Sequence, residues 1–556
     1  MVKEKLKLIP LGGFGEIGKN MLAMQYGDDI IIVDCGLMFP DEEMFGIDLV
    51  IPDISFLLEN KDKVRGIVIT HAHEDHIGAL PYILPQLNVP VYCTRLAKGL
   101  ISVKLKERRV AEPKVHSLGV HGKVTLGAFR IEFFPVNHSI PDSVGLIINT
   151  PLGTIVHTGD FKVDYTPVTG VTTDLGKLAQ LGAHGVLLLM ADSTYAEVPG
   201  YTPSESVVGE ALNNIIGDAK GRVLVTTFAS LISRMQQVID ASAKYHRRVF
   251  IVGRSMTENA RIASELGYLK IPSGVLGNND ELMRVPREKT VILTTGSQGE
   301  PTSGLVRIAS GGHKLIKLHP TDTVVFSASP IPGNESLVNR TVDALFRQGV
   351  QVFYGERSHA HVHGHGSQEE LKLLQGLVKP RFFIPVHGEY RHLTQHALLA
   401  QSMGVPLERT FVLEDGDVFE LDREEGRVTG KVVSGNVYVD GLSVGDVGGM
   451  VLRSRRMLSR DGIVVAIVPI NKQTGKLVGR PEIVSRGFID IEESWEMVDG
   501  ARNLLIRLMD QKQAHSTERG HMENEIKGAL DKYFYDQTKR RPMILPVLLH
   551  VHGAHP

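Results

Sequence analysis

Histidine and acidic residues crowd one short segment, residues 70–76, which reads Thr-His-Ala-His-Glu-Asp-His. His71 and His73 lie two positions apart directly after an apolar stretch that predicts a strand, so both imidazoles can reach one ion. Asp75 and His76, beyond a turn, are placed for a second ion nearby. A lone histidine at a strand end is usually structural, but packing does not explain four potential ligands within six residues. The segment therefore predicts a metal site.

Three more metal-binding side chains, His138, Asp160 and His387, each follow an apolar run that predicts a strand. The ends of neighbouring strands meet at one edge of a sheet, so we expect these side chains to converge. Cys35 and Cys93 stand alone, so the site must rest on imidazole and carboxylate, which suit zinc or manganese. Two such ions can share a bridging carboxylate and a bridging water whose pKa they lower, which indicates a hydrolase.

The elements that must position these residues change character along the 556-residue chain, whose length suggests about three or four domains. The first 200 residues predict short strands, residues 205 to 360 alternate helix and strand as in a doubly wound parallel sheet, and strands ending on histidine then return. We therefore expect one domain interrupted by another. The predicted limits are 1–204 with 361–430 for the discontinuous domain, 205–360 for the insertion, 431–450 for a linker and 451–556 for a small C-terminal α+β domain.

A second motif, G-x-G-x-x-G at residues 13–18, is typical of dinucleotide-binding loops, and Asp34 follows at a suitable distance. That site requires a helix immediately after the glycines. Residues 20–26 are instead a short apolar segment that runs into a Gly-Asp-Asp turn, which predicts a β-hairpin. We interpret the glycines as shaping a loop between strands, and this loop could still lie over the metal site.

The pattern H-x-H-x-D-H after a strand, followed by a distant His, an Asp and a final His, resembles the metallo-β-lactamase superfamily. The resemblance implies an αββα sandwich and two divalent metal ions per subunit, Zn²⁺ in the first place and Mn²⁺ as the alternative. It assigns His71, His73 and His138 to one ion, Asp75, His76 and His387 to the other, and Asp160 to a bridge between them. Asp34 is similar to the superfamily's first conserved acid, which orients a ligand histidine from behind.

An α/β domain inserted between Asp160 and His387 resembles the beta-CASP group of nucleic-acid hydrolases. Asp192 and His365 match two motifs of that group, and a histidine at the second is the form associated with RNA. Over nearly the whole chain the sequence is similar to the bacterial ribonuclease J family. The segments that carry this likeness are residues 11–20, 295–301, 329–335 and 385–390, together with the C-terminal region.

The resemblance implies a 5′-to-3′ exoribonuclease that prefers a 5′-monophosphate, with additional endonuclease activity, acting in mRNA decay and rRNA maturation. Asp192 would be the proton donor and His365 the proton acceptor. The substrate-binding residues would be His361, Val362, His363, Gly364 and His365. The implied partners are single-stranded RNA with a 5′-monophosphate, further copies of the chain in a homodimer or homotetramer formed through the C-terminal domain, and other RNA-decay proteins.

Two positions depart from the family pattern. His363 stands where the family usually has a serine that contacts phosphate, and Ala328 interrupts a run of serines. A histidine can still donate to phosphate, so we expect altered geometry more than lost binding. The alternative interpretation of the alternating histidines at 359–365 is a metal-chelating or surface tract.

Two other functions remain open. One is a catalytically silent RNA-binding or scaffold paralogue, and the other is a DNA-processing nuclease of the beta-CASP group. Silent members usually lose metal ligands, whereas this chain keeps all seven. His365 and the ribonuclease J segments favour RNA over DNA.

The net charge of -2 at first argues against a polyanionic partner. The acidic excess, however, lies in the two segments of the predicted catalytic domain, where metal ions would offset it. The inserted and C-terminal segments are basic in excess, which favours contact with a phosphate backbone. The sequence has no apolar run of membrane-spanning length and no apolar segment at its start suited to a secretory signal, so we expect a cytoplasmic protein without membrane contact.

Overall fold

The computed structural model describes residues 4–41, 43–110, 114–331, 334–472, 474, 476–510 and 519–551. Residues 332 and 333, part of the 329–335 segment singled out above, lie outside this set. The described residues form two compact units, one from Met1–Phe39 and Leu49–Val437 and the other from Pro40–Asp48 and Tyr438–Pro556.

The first unit contains a sandwich of two sheets. The eight strands of the first sheet are, in spatial order, Gly426–Lys431, Asp417–Leu421, Leu6–Gly12, Met21–Tyr26, Asp29–Val33, Val64–Val68, Val91–Cys93 and Val115–Ser117. The six strands of the second sheet are Phe382–Val386, Leu188–Asp192, Gly153–His157, Val144–Thr150, Phe129–Pro135 and Lys123–Leu126. Each sheet therefore combines strands from two distant parts of the unit's sequence, one before residue 193 and one after residue 381.

Alternation along the strands builds the core between the sheets. In the second sheet Phe133 and Leu146 face the first sheet, and their chain neighbours Phe134 and Ile147 face the opposite side, as the two-residue period of a strand requires. That opposite side packs on residues from three helices, Leu175–His184, Gln368–Val378 and Tyr390–Ser402. The remaining helices of the sandwich are Ser55–Glu59, Glu74–Ile77, Leu80–Leu87 and Arg95–Glu107.

An inserted domain follows the strand Leu188–Asp192. Its five strands are all parallel, in the order Arg248–Val252, Thr290–Thr294, Val223–Thr226, Thr323–Phe326 and Gln351–Phe353. Its helices are Glu205–Asp218, Ile232–Lys244, Arg254–Glu265, Gly304–Ala309 and Glu335–Arg347. The predicted class, a two-sheet sandwich with an inserted α/β domain, is confirmed.

The second unit is a small α+β domain. Its sheet has the order Glu482–Arg486, Ile463–Asn471 and Met543–Val551, and its helices are Gly449–Asp461, Trp495–Asp510 and Arg519–Thr538. The sequence did not predict the first helix or the last strand. The segment expected to be a linker contains a strand at Asn436–Asp440.

The glycine motif at residues 13–18 is followed by the strand Met21–Tyr26, which pairs antiparallel with Asp29–Val33. The predicted hairpin is therefore present, and the helix that a dinucleotide-binding loop needs is not at this position. Among the residues that the structure describes, no helix is long and apolar enough to cross a membrane.

Candidate metal centre

One edge of the sandwich collects the chemistry because several strands end there. Phe382–Val386, Leu188–Asp192 and Gly153–His157 are parallel neighbours, and His387, Asp192 and Asp160 lie at or just beyond their carboxyl ends. Asp34 and His387 come directly after strands and adopt left-handed backbone angles, with φ of 62° and 56°. Such angles are uncommon for residues other than glycine and often accompany functional sites.

Three histidine nitrogens converge at the first cluster. His73 Nδ1 lies 3.0 Å from His71 Nε2 and 3.0 Å from His138 Nε2. One carboxylate oxygen, Asp160 Oδ2, lies 3.6 Å from the nitrogens of both His71 and His138. The ligand atoms of the three histidines that the resemblance assigns to one ion, and of Asp160, its bridging residue, all lie within 4.8 Å of one another.

The second cluster shares that oxygen. Asp160 Oδ2 lies 3.3 Å from His76 Nε2 and 3.6 Å from His387 Nε2. Asp75 Oδ2 completes the group, 3.4 Å from His76 Nε2 and 3.8 Å from His387 Nε2. Asp160 therefore stands between the two clusters, in the position expected of a bridging ligand.

The far nitrogens of the histidines are already occupied, which fits a metal site. His76 Nδ1 donates to Asp34 Oδ2 at 2.8 Å, and His138 Nδ1 donates to the Gly364 carbonyl oxygen at 2.8 Å. His71 Nδ1 lies 3.1 Å from Thr70 Oγ1, which in turn donates to Asp34. These contacts leave the ring nitrogens that face the cluster with lone pairs directed at one another. A divalent cation bound between them would remove that repulsion.

The electrostatics of the site also favour a cation. Burial lowers the pKa of His71 and His138 well below the ordinary value, so both rings are neutral. Burial alone would raise the pKa of Asp160, but the surrounding imidazoles outweigh it and keep the carboxylate ionised. Burial would likewise lower the pKa of His76, yet the neighbouring carboxylates raise it well above its usual range. The neutral rings of His71 and His138 and the ionised Asp160 are the ligand forms that metals require, whereas His76 would have to release its proton when a cation binds.

Asn20 contacts all three residues that belong to the second cluster alone, and the sequence did not predict it as a site residue. Its Oδ1 accepts a hydrogen bond from His387 Nδ1 at 2.7 Å, and its Nδ2 lies 3.1 Å from His76 Nε2 and 3.3 Å from Asp75 Oδ2. Asn20 follows the glycine loop at residues 13–18, so that loop does lie beside the site. Asn20 belongs to the 11–20 segment that carries the family likeness, but no local sequence pattern links it to His387, 367 positions away.

Asp192 and His365 form a pair next to the clusters. Asp192 Oδ2 lies 2.7 Å from His365 Nδ1. Burial lowers the pKa of this histidine, but the charge and hydrogen bond of Asp192 outweigh it and raise the pKa to about 9. The pKa of Asp192 is lowered in turn, chiefly by His365 against the effect of burial. The pair therefore carries its proton on the imidazole.

The loop that bears His365 lies over the first cluster. Gly364 packs so closely on His138 that a Cβ would come within 2.7 Å of the imidazole ring, which explains the glycine. His363 stacks on Tyr195, with 3.6 Å between ring centroids and an angle of 10° between planes. His361 and Val362 are half-buried, and Nδ1 of His361 is a buried atom without a hydrogen-bond partner. Burial lowers the pKa of His363 to about 3.

A buried arginine joins the inserted domain to this loop. Arg234, fully buried, donates to the Ala360 carbonyl oxygen at 2.9 Å and to Glu205 Oε2 at 2.8 Å. It also donates to Ser327, whose hydroxyl donates to the same Ala360 carbonyl. Ala328, the departure noted above, is buried beside this network.

Four family models match the chain. They are the metallo-beta-lactamase superfamily over residues 15–188, the ribonuclease J beta-CASP domain over 220–345, the Zn-dependent metallo-hydrolase RNA specificity domain over 356–412 and the ribonuclease J C-terminal domain over 450–551. Together with the His/Asp clusters, these matches support divalent metal binding and RNA binding.

Similar proteins cover the whole chain. It is 43% identical over 543 residues to ribonuclease J 1 of Streptococcus pyogenes, with 97% of this chain and 96% of the relative covered. It is 42% identical to ribonuclease J2 of Bacillus subtilis, with 99% of each covered, and 44% identical to ribonuclease J of Thermus thermophilus, with 98% and 96% covered. A solved structure from Enterococcus faecalis, of unknown function, is similar in fold alone, with a TM-score of 0.53 at 17% identity over 75% of this chain and 100% of that one.

Proposed function

Because this chain belongs to the ribonuclease J family of metal-dependent ribonucleases, we propose that it removes nucleotides from the 5′ end of 5′-monophosphorylated, single-stranded RNA. We further propose additional endonuclease activity, and roles in mRNA decay and rRNA maturation in the cytoplasm. The observation that carries the proposal is the joining of two ligand clusters through Asp160, beside the Asp192–His365 pair.

The donor set supports two divalent ions, Zn²⁺ first and Mn²⁺ as the alternative. The first would be held by His71, His73 and His138, the second by Asp75, His76 and His387, with Asp160 between them. When bound, such ions supply an activated water near neutral pH and stabilise negative charge on the attacked phosphate. The preference for zinc rests on the imidazole-rich donors.

The chain's own residues would then manage protons and position the RNA. The Asp192–His365 pair holds one proton across 2.7 Å, and that proton rests on His365. We propose that His365 passes this proton to Asp192, that Asp192 delivers it to the departing 3′-oxygen, and that the neutral His365 then accepts a proton from the attacking water. His361, Val362, His363 and Gly364 would line the substrate path, held in place by the Arg234 contact to Ala360. Asp34 and Asn20 would fix the orientations of His76 and His387.

We propose the domain limits 1–204 with 361–430, 205–360 and 451–556, joined through 431–450. The parallel sheet between residues 223 and 353 supports the middle limits.

We also propose a homodimer or homotetramer formed through the C-terminal domain, and association with other RNA-decay proteins. Exposed Leu545 and Leu549 on the strand Met543–Val551 are consistent with contact between copies. Light scattering measures the oligomeric state of the full chain and, for comparison, that of a Leu545→Ser/Leu549→Ser variant.

The test of the activity compares three substrates of one sequence: 5′-monophosphorylated RNA, 5′-triphosphorylated RNA and single-stranded DNA. With Zn²⁺ or Mn²⁺ we expect the first to be degraded to mononucleotides much faster than the other two. Asp75→Ala should abolish this degradation. Glu74→Gln is the matched control, since Glu74 is the preceding residue in the chain and pairs with Lys104 at the surface.

Each alternative has its own outcome. Equal degradation of RNA and DNA would favour the DNA-processing nuclease. Binding of RNA without degradation, in protein shown to contain metal, would favour the silent paralogue. If Asp75→Ala kept the full rate, the proposed mechanism would be wrong.

A further inference from the structure

His363 has its hydrogen-bonding state fixed by the backbone. Its Nδ1 lies 2.8 Å from the carbonyl oxygen of His365, and a carbonyl oxygen can only accept. Nδ1 therefore carries the ring proton, and in the neutral ring the other nitrogen, Nε2, is an acceptor. Burial keeps the ring neutral by lowering its pKa to about 3.

Tyr195 fixes the plane of this ring. The two rings stack at 3.6 Å with 10° between planes, and a stack held at one nitrogen by a hydrogen bond leaves the ring little freedom to flip. His363 is only half-buried. Its Nε2 has no hydrogen-bond partner among the described residues, and unlike Nδ1 of His361 it is not an enclosed atom. A defined acceptor therefore faces accessible space.

The acceptor lies beside the atoms proposed to carry the chemistry. The same Tyr195 ring stacks on His365 at 5.8 Å, and His365 is bonded to Asp192. A neutral acceptor repels the oxygens of a phosphodiester, which are also acceptors, so His363 is unsuited to hold phosphate by donation. The donor that RNA carries closest to its phosphodiester is the ribose 2′-hydroxyl, adjacent to the 3′-oxygen. Nucleobase N–H groups lie farther from the backbone.

We propose that His363 Nε2 accepts a hydrogen bond from the 2′-hydroxyl of a nucleotide next to the scissile bond, and so contributes to the choice of RNA over DNA. This inference rests on the proposed ribonuclease function. It gives the departure at His363 a role in recognising the sugar, in place of the phosphate contact expected from the sequence.

The test uses 5′-monophosphorylated oligoadenylate carrying a single 2′-fluoro substitution at each of the first few positions in turn. Fluorine keeps the ribonucleotide sugar pucker but cannot donate. For the wild-type protein we expect one position to slow single-turnover degradation by roughly 3- to 10-fold, the size of one hydrogen bond. In His363→Ala the 2′-fluoro substitution at that position should not change the single-turnover rate, although this variant should degrade unmodified RNA more slowly than the wild type. His363→Gln, which offers an amide oxygen near the place of Nε2, should restore part of the effect.

The matched control is His359→Asn, an exposed histidine of the same tract whose left-handed backbone asparagine tolerates. It should behave as the wild type. The inference is overturned if no 2′-fluoro position slows the wild type, if the slowing persists unchanged in His363→Ala, or if replacing the adenine, and not the 2′-hydroxyl, produces the slowing. Failure of the wild type to degrade any RNA would instead remove the proposed function.

Discussion

Replacing Asp34 with asparagine should weaken metal binding without touching a ligand. Asp34 is buried at the end of the strand Asp29–Val33 and accepts hydrogen bonds from His76 Nδ1 at 2.8 Å and from the Thr70 backbone N–H at 2.8 Å. The Thr70 hydroxyl donates to it as well, and that hydroxyl contacts His71. One carboxylate thus orients a histidine in each cluster. Asparagine tolerates the left-handed backbone but has one acceptor oxygen and no charge.

The size of the effect follows from those contacts. Loss of the partner that orients a ligand histidine lowers metal affinity by about 10- to 100-fold, which is about 1.4 to 2.7 kcal/mol. We expect Asp34→Asn to release metal to a fluorescent zinc chelator at a correspondingly lower chelator concentration. RNA hydrolysis should recover when more metal is added.

The control is Asp164→Asn in the same domain. Asp164 is also buried and also accepts from backbone N–H groups, those of Thr166 and Glu205, but it does not belong to either cluster. The Asp164→Asn substitution should lower thermal stability and leave metal affinity unchanged. Equal metal affinity in Asp34→Asn and the wild type would refute the argument that this carboxylate positions the ligands.

Three further results are expected. Asp192→Asn should lower the rate of RNA hydrolysis by roughly 100- to 10,000-fold with the metal content, measured by atomic emission, unchanged; loss of metal would make it a ligand instead. Arg234→Ala should lower the free energy of unfolding in urea by about 3–5 kcal/mol because it removes the hydrogen-bonded partner of the buried Glu205 and leaves it only Lys162, whose Nζ lies 3.8 Å from Oε1. A loss below about 1 kcal/mol would contradict this. Burial and the nearby Glu16 raise the pKa of Asp415 from 3.8 to about 8, so the folded protein holds a proton that the unfolded chain releases, and stability present below about pH 4 is lost as the pH rises towards about 8. Between about pH 6 and 9 the thermal midpoint of Asp415→Asn should therefore fall less than that of the wild type. An equal fall in both proteins would exclude Asp415 as the cause of the pH dependence.

The α/β character of the insertion followed from the sequence because periodicity is local, whereas the αββα sandwich was implied by the family resemblance. The elements of the insertion that the pattern predicted, such as Glu205–Asp218 and Thr290–Thr294, lie within a few residues of their predicted limits. The helix Glu335–Arg347 and the strand Gln351–Phe353 were not predicted. The metal-binding residues were recognisable for the same reason, since each of His138, Asp160 and His387 follows closely on a strand.

The supports of the site could not be found in this way, because they are contacts between distant parts of the chain. Asn20 reaches His387 across 367 positions, and the Gly364 carbonyl reaches His138 across 226. Arg234 contacts Ala360 from another domain's helix. A buried arginine in a helix looks like a surface residue until its partners are known. The hydrogen-bonding state of His363 likewise depends on a backbone carbonyl that no motif reveals.

We propose that RNA hydrolysis depends on metal held by the two clusters that meet at Asp160. The most direct measurement follows the rate of mononucleotide release from 5′-monophosphorylated RNA against bound metal per chain, after complete removal of metal by a chelator and stepwise return of Zn²⁺ or Mn²⁺. We expect no hydrolysis without metal and full recovery as the second equivalent binds, and we expect Asp160→Ala not to recover. Hydrolysis at the full rate in metal-free protein, or in Asp160→Ala, would contradict it.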